Sequence, residues 1–245
     1  LLSISPVPAF DTTKPMTLRE LYTVSPLGCV GMFVLGGIFA AQFGMSAVYG
    51  TQSGLGVAAI STFVSTFFIG AVLLQYPIGW ISDRMDRRQL ICIVSALGIL
   101  GALLGLFYGS AFTLLLAAAF VIGGMSNPLY SLLLAHTNDY LDHDDMAAAS
   151  GGLVFISGLG AVLGPLTLGV LMERAGPAGF FMFVAVLFAF LSAYAAYRMT
   201  QRAAVEDTGE YVVVSPTAIT PVAMEFAQEY VIESELEAEA GDEAA

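Results

Sequence analysis

Gly79-Trp80-Ile81-Ser82-Asp83-Arg84-Met85-Asp86-Arg87-Arg88 is a charged island in an apolar chain. No Asp, Glu, Lys or Arg occurs between Leu21 and Ser82, and none between Gln89 and Asn138. A water-soluble domain spreads charge over every exposed face, so uncharged runs of this length mean that lipid surrounds the segments on either side. The chain reads as a polytopic membrane protein, and this stretch as a cationic loop joining two of its spans.

The rest of the composition agrees. Of 245 residues, 57% are hydrophobic and 11% charged, and the mean hydropathy is +0.81, far above that of an ordinary globular domain. The net charge of -12 is misleading as a global property, because eleven of the twenty acids lie beyond residue 202, where Lys and Arg are absent. Up to Arg202, nine acids face eight bases. The acidity belongs to a tail, and no nucleic-acid partner is expected. Cys29 and Cys92 fall inside apolar runs with no metal-ligand spacing, and are read as packed or lipid-facing thiols.

Cutting the apolar runs at Gly, Pro and polar punctuation gives six spans near the ~20 residues a helix needs to cross a bilayer. They cover approximately 27–48, 56–78, 89–107, 111–132, 147–171 and 178–197. Membrane strands alternate apolar and polar residues in short segments, whereas these runs are apolar on all sides, so the fold class is all-α. Seven bases (Lys14, Arg19, Arg84, Arg87, Arg88, Arg198, Arg202) fall on one side of this topology and one, Arg174, on the other. The positive-inside rule then puts both termini in the cytoplasm, with the protein in the plasma (inner) membrane. The expected organisation is a proline-punctuated cytoplasmic linker (1–24), a six-helix bundle (25–200) and an acidic, disordered cytoplasmic tail (201–245).

The charged island has the form G-x-x-x-D-R-x-x-R-R. An arginine-rich cytoplasmic loop needs no role beyond topology, but that alone does not account for a glycine four residues before an Asp bracketed by Arg. A glycine at a helix end lets another backbone approach, and a carboxylate there can meet the positive N-terminus of a neighbouring helix. Such a contact works as a latch, made in one conformation and broken in another. The pattern resembles the signature loop of the major facilitator superfamily, G-x-x-x-D-R/K-x-G-R/K-R/K, which joins the second and third helices of each six-helix half. Gly79, Asp83, Arg84, Arg87 and Arg88 match it, and Asp86 stands where the pattern has Gly. The run Gln75-Tyr76-Pro77-Ile78-Gly79-Trp80, with Asn127-Pro128-Leu129-Tyr130, resembles the YcaD-like branch.

That resemblance implies half of a rocker-switch secondary transporter of small solutes, with a second six-helix half as partner and no cofactor. The linker-like opening, the absence of an initiator Met and the acidic tail point to the carboxyl-terminal half. A six-span scaffold or interaction protein without transport activity is the alternative. In the fifth span, Gly160, Gly164 and Pro165 resemble the G-x-x-x-G-P motif of the superfamily, read as close helix packing or as a gate. Gln42, Gln75, Tyr76, Asn127 and Tyr130 are the polar residues placed to line a solute pathway, although such a residue alone is more often an interhelical hydrogen-bonding group than a ligand. His136, Asp139, Asp142, His143, Asp144 and Asp145 crowd one loop but fit no metal-site spacing, so they read as a solvated loop with Asp144 or Asp145 capping the fifth helix. No H-E-x-x-H occurs, Ser157 lacks a glycine two residues upstream, and neither His is expected inside a span, so no enzyme is expected.

The topology is directly testable. Reporter fusions at Ser53 and Gln89 should report opposite sides of the membrane, with Gln89 cytoplasmic. The same side for both would rule it out.

Overall fold

The computed structural model describes residues 16–141 and 143–201. The expectations for the first fifteen residues and for the acidic tail therefore lie outside the described residues. All elements among the described residues are helical: α1 (Leu18–Val24), α2 (Pro26–Phe39), a π-helical turn (Ala40–Met45), α3 (Ser46–Gln52), α4 (Val57–Ser82), α5 (Arg87–Tyr108), α6 (Phe112–Asn138), α7 (His143–Ala175) and α8 (Ala178–Gln201). Because α2, the π turn and α3 run on without a break, they form one span. Among the described residues, six segments are long and apolar enough to cross a membrane, as the sequence predicts.

Most helices extend beyond the apolar windows. The reason is that charged and polar residues continue a helix past the hydrocarbon once the backbone is propagating. The first connection shrinks to residues 53–56, because α3 carries the helix through Gln52. His136, expected outside the spans, sits in the last turn of α6. The fifth helix begins at His143, which places Asp145 in its first turn, where a carboxylate complements the helix dipole, while Asp142 and the Asp144 side chain lie outside the described residues. Within the linker region, α1 is fixed by a capping box: Thr17 Oγ1 accepts from Glu20 N at 3.3 Å, and Glu20 Oε2 accepts from Thr17 N at 2.8 Å.

The spans α2 and α6 form the buried centre, with α7 packed on α2, α4 packed on α6, and α5 and α8 packed against each other. Two crossings are made backbone to backbone. A Cβ on Gly160 of α7 would lie 1.9 Å from the Phe33 carbonyl oxygen of α2, and one on Gly36 would lie 2.0 Å from the Ser157 oxygen. A Cβ on Gly70 of α4 would lie 2.0 Å from the Phe120 oxygen of α6, and one on Gly123 would lie 2.1 Å from the Phe67 oxygen. These are the same contacts made twice, and the sequence repeats with them. Phe33-Val34-Leu35-Gly36-Gly37 in α2 matches Phe120-Val121-Ile122-Gly123-Gly124 in α6, and Gly70-Ala71-Val72-Leu73 in α4 matches Gly160-Ala161-Val162-Leu163 in α7. Since α2 and α6 cross in opposite directions, the two copies are related by an axis in the membrane plane, an inverted repeat.

The ends of the bundle differ. Away from the arginines, Tyr49 of α3 meets Phe63 of α4 and Phe180 and Phe181 of α8 with ring centroids 5.1 to 5.5 Å apart, which closes that end with aromatic packing. The turns there use Gly54 and Gly176, whose φ values of 74° and 65° lie in the left-handed region. Cys29 is buried, and Cys92 joins α5 to α8 through Ser192, whose Oγ donates to the Cys92 carbonyl at 3.1 Å.

These crossings predict a contrast within one helix. Gly160→Leu should lose at least about 3 kcal/mol, the upper end of the overpacking range, because the obstacle is backbone and cannot yield. At exposed Gly158 a Cβ would meet no atom within 4 Å, so Gly158→Leu should be tolerated. Thermal unfolding followed by size-exclusion chromatography separates the two outcomes.

Candidate functional site

The charged loop is only four residues long, from Asp83 to Asp86, and its chemistry comes from how two helix ends are finished. Asp83 is the C-cap of α4; its N–H donates to the Gly79 carbonyl at 3.3 Å, and its side chain is exposed. Arg84 folds back on α4: Nη1 donates to the Trp80 carbonyl at 2.8 Å, and the guanidinium stacks 4.0 Å over the Trp80 ring. This pairing covers an exposed indole with an aliphatic and cationic lid.

Asp86, the departure from the family pattern, is the N-cap of α5. Its Oδ1 accepts from Arg88 N at 2.9 Å. The same carboxylate takes Arg88 in a two-point grip, Nε to Oδ1 at 3.1 Å and Nη2 to Oδ2 at 2.7 Å. Its backbone lies at φ −53°, which needs no glycine. Burial pushes the Asp86 carboxyl up, but the hydrogen bonds and positive charge of Arg88 outweigh it and hold the group below the ordinary carboxylate value. The tight turn thus survives the replacement of glycine by a residue that caps the next helix.

Arg87 points inward. Its side chain is 2% exposed and forms an ion pair with Asp139, itself 4% exposed, at the C-cap of α6. Nη1 also reaches the Ala135 carbonyl at 3.4 Å. Asp139, expected in a solvated loop, is therefore a buried structural partner. Its spacing within an acidic cluster gave no sign of this, because the pairing depends on α5 and α6 lying side by side. A buried pair of this kind adds little net stability over an apolar pair, but removing one member leaves a buried charge and costs about 3–5 kcal/mol. It fixes the register of α5 against α6.

The polar candidates of the spans separate into two groups. Gln42, in the π turn, is fully buried; Nε2 donates to Ser126 Oγ of α6 at 2.8 Å, and Ser126 Oγ lies 3.2 Å from Gln42 Oε1. Ser46 Oγ donates to the Gln42 carbonyl at 2.6 Å, serving an acceptor in the wider turn. Asn127 Nδ2 donates to the Gly123 carbonyl at 3.1 Å, and Tyr130 is buried beside Phe39 at a centroid distance of 6.3 Å. These three residues lie inside the bundle. By contrast Gln75 is half-buried and Tyr76 is 80% exposed, both on α4. Ser126 was missed by sequence reasoning, and only its pairing with Gln42 across two spans marks it.

Gly160 and Gly164 both serve the α2 to α7 crossing; a Cβ on Gly164 would lie 3.1 Å from Gly37 Cα. Pro165, one residue later, removes the N–H that would reach back to residue 161, and Thr167 Oγ1 lies 3.0 and 2.9 Å from the Leu163 and Gly164 carbonyls, a back-bond within the turn that follows.

With this geometry in place, the sequence profile of the Major Facilitator Superfamily matches residues 21–222. The chain belongs to that superfamily. It is 26% identical over 180 residues to the MFS-type transporter YfkF of Bacillus subtilis (strain 168), a match covering 71% of this chain and 45% of YfkF. It is 24% identical over 166 residues to the MFS-type transporter YcaD of Escherichia coli O7:K1 (strain IAI39 / ExPEC), covering 68% of this chain and 41% of YcaD. The chain thus matches less than half the length of these relatives. Among solved structures it is similar in fold to the POT family transporter PepTSo, with a TM-score of 0.62 at 17% identity over 84% of this chain and 41% of that one. The protein is a multi-pass membrane protein of a transporter family.

Asp86 yields a pH-dependent prediction. Asp86→Gly, which restores the family residue, removes the cap and leaves buried Arg88 without its carboxylate, and should cost about 1–3 kcal/mol at neutral pH. Since the Asp86 pKa is lowered in the folded state, its contribution is complete above the ordinary carboxylate value of 3.8 and is lost as pH falls through the lowered one. Melting temperatures of wild type and variant should therefore converge in acid. A gap unchanged at low pH would remove this role.

Proposed function

We propose that this chain is the carboxyl-terminal half of a secondary active transporter of small solutes, working by rocking against an amino-terminal six-helix half in the plasma (inner) membrane, with both termini cytoplasmic. The observation that carries the reading is the uneven burial of the six spans. In their most apolar stretches α4 and α7 are each only 22% buried, against 72% for the first span and 61% for α6. The exposed faces include Ile69, Val72, Leu73 and Tyr76 of α4 and Phe155, Leu159, Val162 and Leu166 of α7. A second bundle on these faces would be free to tilt, since apolar contacts are non-directional. The relatives' greater length supports the same reading.

In this proposal Gln75 and Tyr76 meet the solute or the facing half, while Gln42, Asn127 and Tyr130 form the polar layer behind them. Asp83, exposed at the end of α4, is the latch toward the partner half, with Gly79 and Arg84 shaping its helix end and Arg87 and Arg88 anchoring the loop. Gly160, Gly164 and Pro165 hold α7 on α2. Catalysis has no part in it.

Reconstituted in liposomes, residues 1–245 alone should give no saturable uptake across a broad solute panel, whereas a chain extended through an upstream six-helix half should. In the extended protein, Asp83→Asn should lower turnover while leaving abundance unchanged. Saturable uptake by the isolated chain would replace this reading with a homodimeric six-span carrier, and no uptake by either form would favour the scaffold.

A further inference from the structure

Where α1 meets α2, a cleft open to the surface is lined by Ser25, Arg88, His136, Tyr140 and Arg198. Two arginines and a histidine line it, and among the described residues no carboxylate does. Arg88 and His136 are each more than nine-tenths buried. Arg88 is neutralised by Asp86 and Arg87, behind it, by Asp139, so Arg198 adds positive charge to the neighbourhood.

Depth in the membrane decides what such a site holds. Arg198 lies in the last turn of α8, directly after Tyr194 and Tyr197, whose rings lie 6.4 Å apart, with Tyr22 of α1 near Tyr194. Tyr22 and Tyr197 are each half or more exposed. Tyrosines in this arrangement mark the level of lipid headgroups. The helix α1 fits that level, with Leu21 buried and Leu18 and Tyr22 outward. Val24, Pro26 and Leu27 give the same cleft an apolar wall, so one side suits a phosphate and the other its hydrocarbon. A soluble anion has no use for that wall.

We propose that this cleft binds the headgroup of an anionic phospholipid, with Arg198 supplying the charge, Arg88 and His136 the buried polar floor, and α1 the edge that the acyl chains pass. Bound lipid would tie the linker helix to α6 and α8, at the end of the bundle where the charged loop lies. Basic pockets between membrane helices are a known kind of anionic-lipid site.

The test uses the full chain purified into detergent, with lipid retention counted by native mass spectrometry against phosphatidylglycerol and phosphatidylcholine. Wild type should retain phosphatidylglycerol in preference, and Arg198→Gln should weaken that retention about fivefold, the effect of one interfacial charge. Arg198→Lys should keep most of it. Arg19→Gln, on the same side but outside the cleft, and Arg174→Gln, on the opposite side, should change nothing. Equal losses in Arg198→Gln and Arg19→Gln would mean diffuse surface charge and overturn the site. Displacement of the lipid by millimolar inorganic phosphate would overturn the lipid as its occupant. A monodisperse elution profile for Arg198→Gln separates loss of binding from loss of folding.

Discussion

Two backbone-to-backbone crossings, α2 on α7 and α4 on α6, set the geometry from which the remaining contacts follow. In lipid the apolar driving force between helices is weak, because tails are as apolar as Leu, so association depends on close van der Waals approach. Glycine at the crossing permits an approach that any side chain forbids, and here the forbidden distances are about 2 Å at all four positions. Once α2 and α6 are each held this way, little room is left for alternative registers of α5 and α8. The aromatic packing of Tyr49, Phe63, Phe180 and Phe181 then fills the end that the crossings leave.

Polar contacts serve a different purpose at each level. Near the middle, Gln42 and Ser126 join the two central spans with neutral hydrogen bonds, which cost less to bury than charge. At the arginine end, charge is buried, but in compensated pairs: Arg87 with Asp139 and Arg88 with Asp86. The first specifies the register of α5 against α6 more than it adds stability, and the second finishes the N-terminus of α5. The exposed members of the same loop, Asp83 and Arg84, lie on its outer side. One ten-residue stretch therefore divides between anchoring residues that face in and residues whose side chains are exposed at the surface.

The span count, the side on which the bases gather and the loop motif were all legible in the sequence, because lipid imposes a composition that a single chain records. The ends of the helices were less so: hydropathy marks where hydrocarbon begins, not where hydrogen bonding stops, and His136 and Arg87 were misplaced or underread for that reason. Asp139 looked like one solvated acid among several, since nothing local distinguishes it from Asp142 or Asp145. The π turn left no signal, as its residues, Gly44 included, are common in membrane helices. The inverted repeat was present in the letters as Phe-Val-Leu-Gly-Gly and Phe-Val-Ile-Gly-Gly, and becomes meaningful once the two segments are seen to run in opposite directions.

The distribution of glycine and charge also bears on how such a bundle moves. A helix pair locked through glycine resists even slight separation, since a gap of about 0.5–1 Å already forfeits a quarter to a half of the attraction. Internal flexing is therefore confined to places where the ladder is already altered, at the π turn of the first span and at Pro77, Pro128 and Pro165. The π turn is pinned by Gln42 to Ser126, and Pro165 is flanked by the hydroxyl of Thr167. With these points restrained, larger displacement is easier between the bundle and whatever covers α4 and α7 than within it. If the chain works as proposed, the exposed apolar faces of those two helices, and the loop that ends α4 at Asp83, would lie at that same boundary, where the loop would meet motion that leaves the interior of the bundle unchanged.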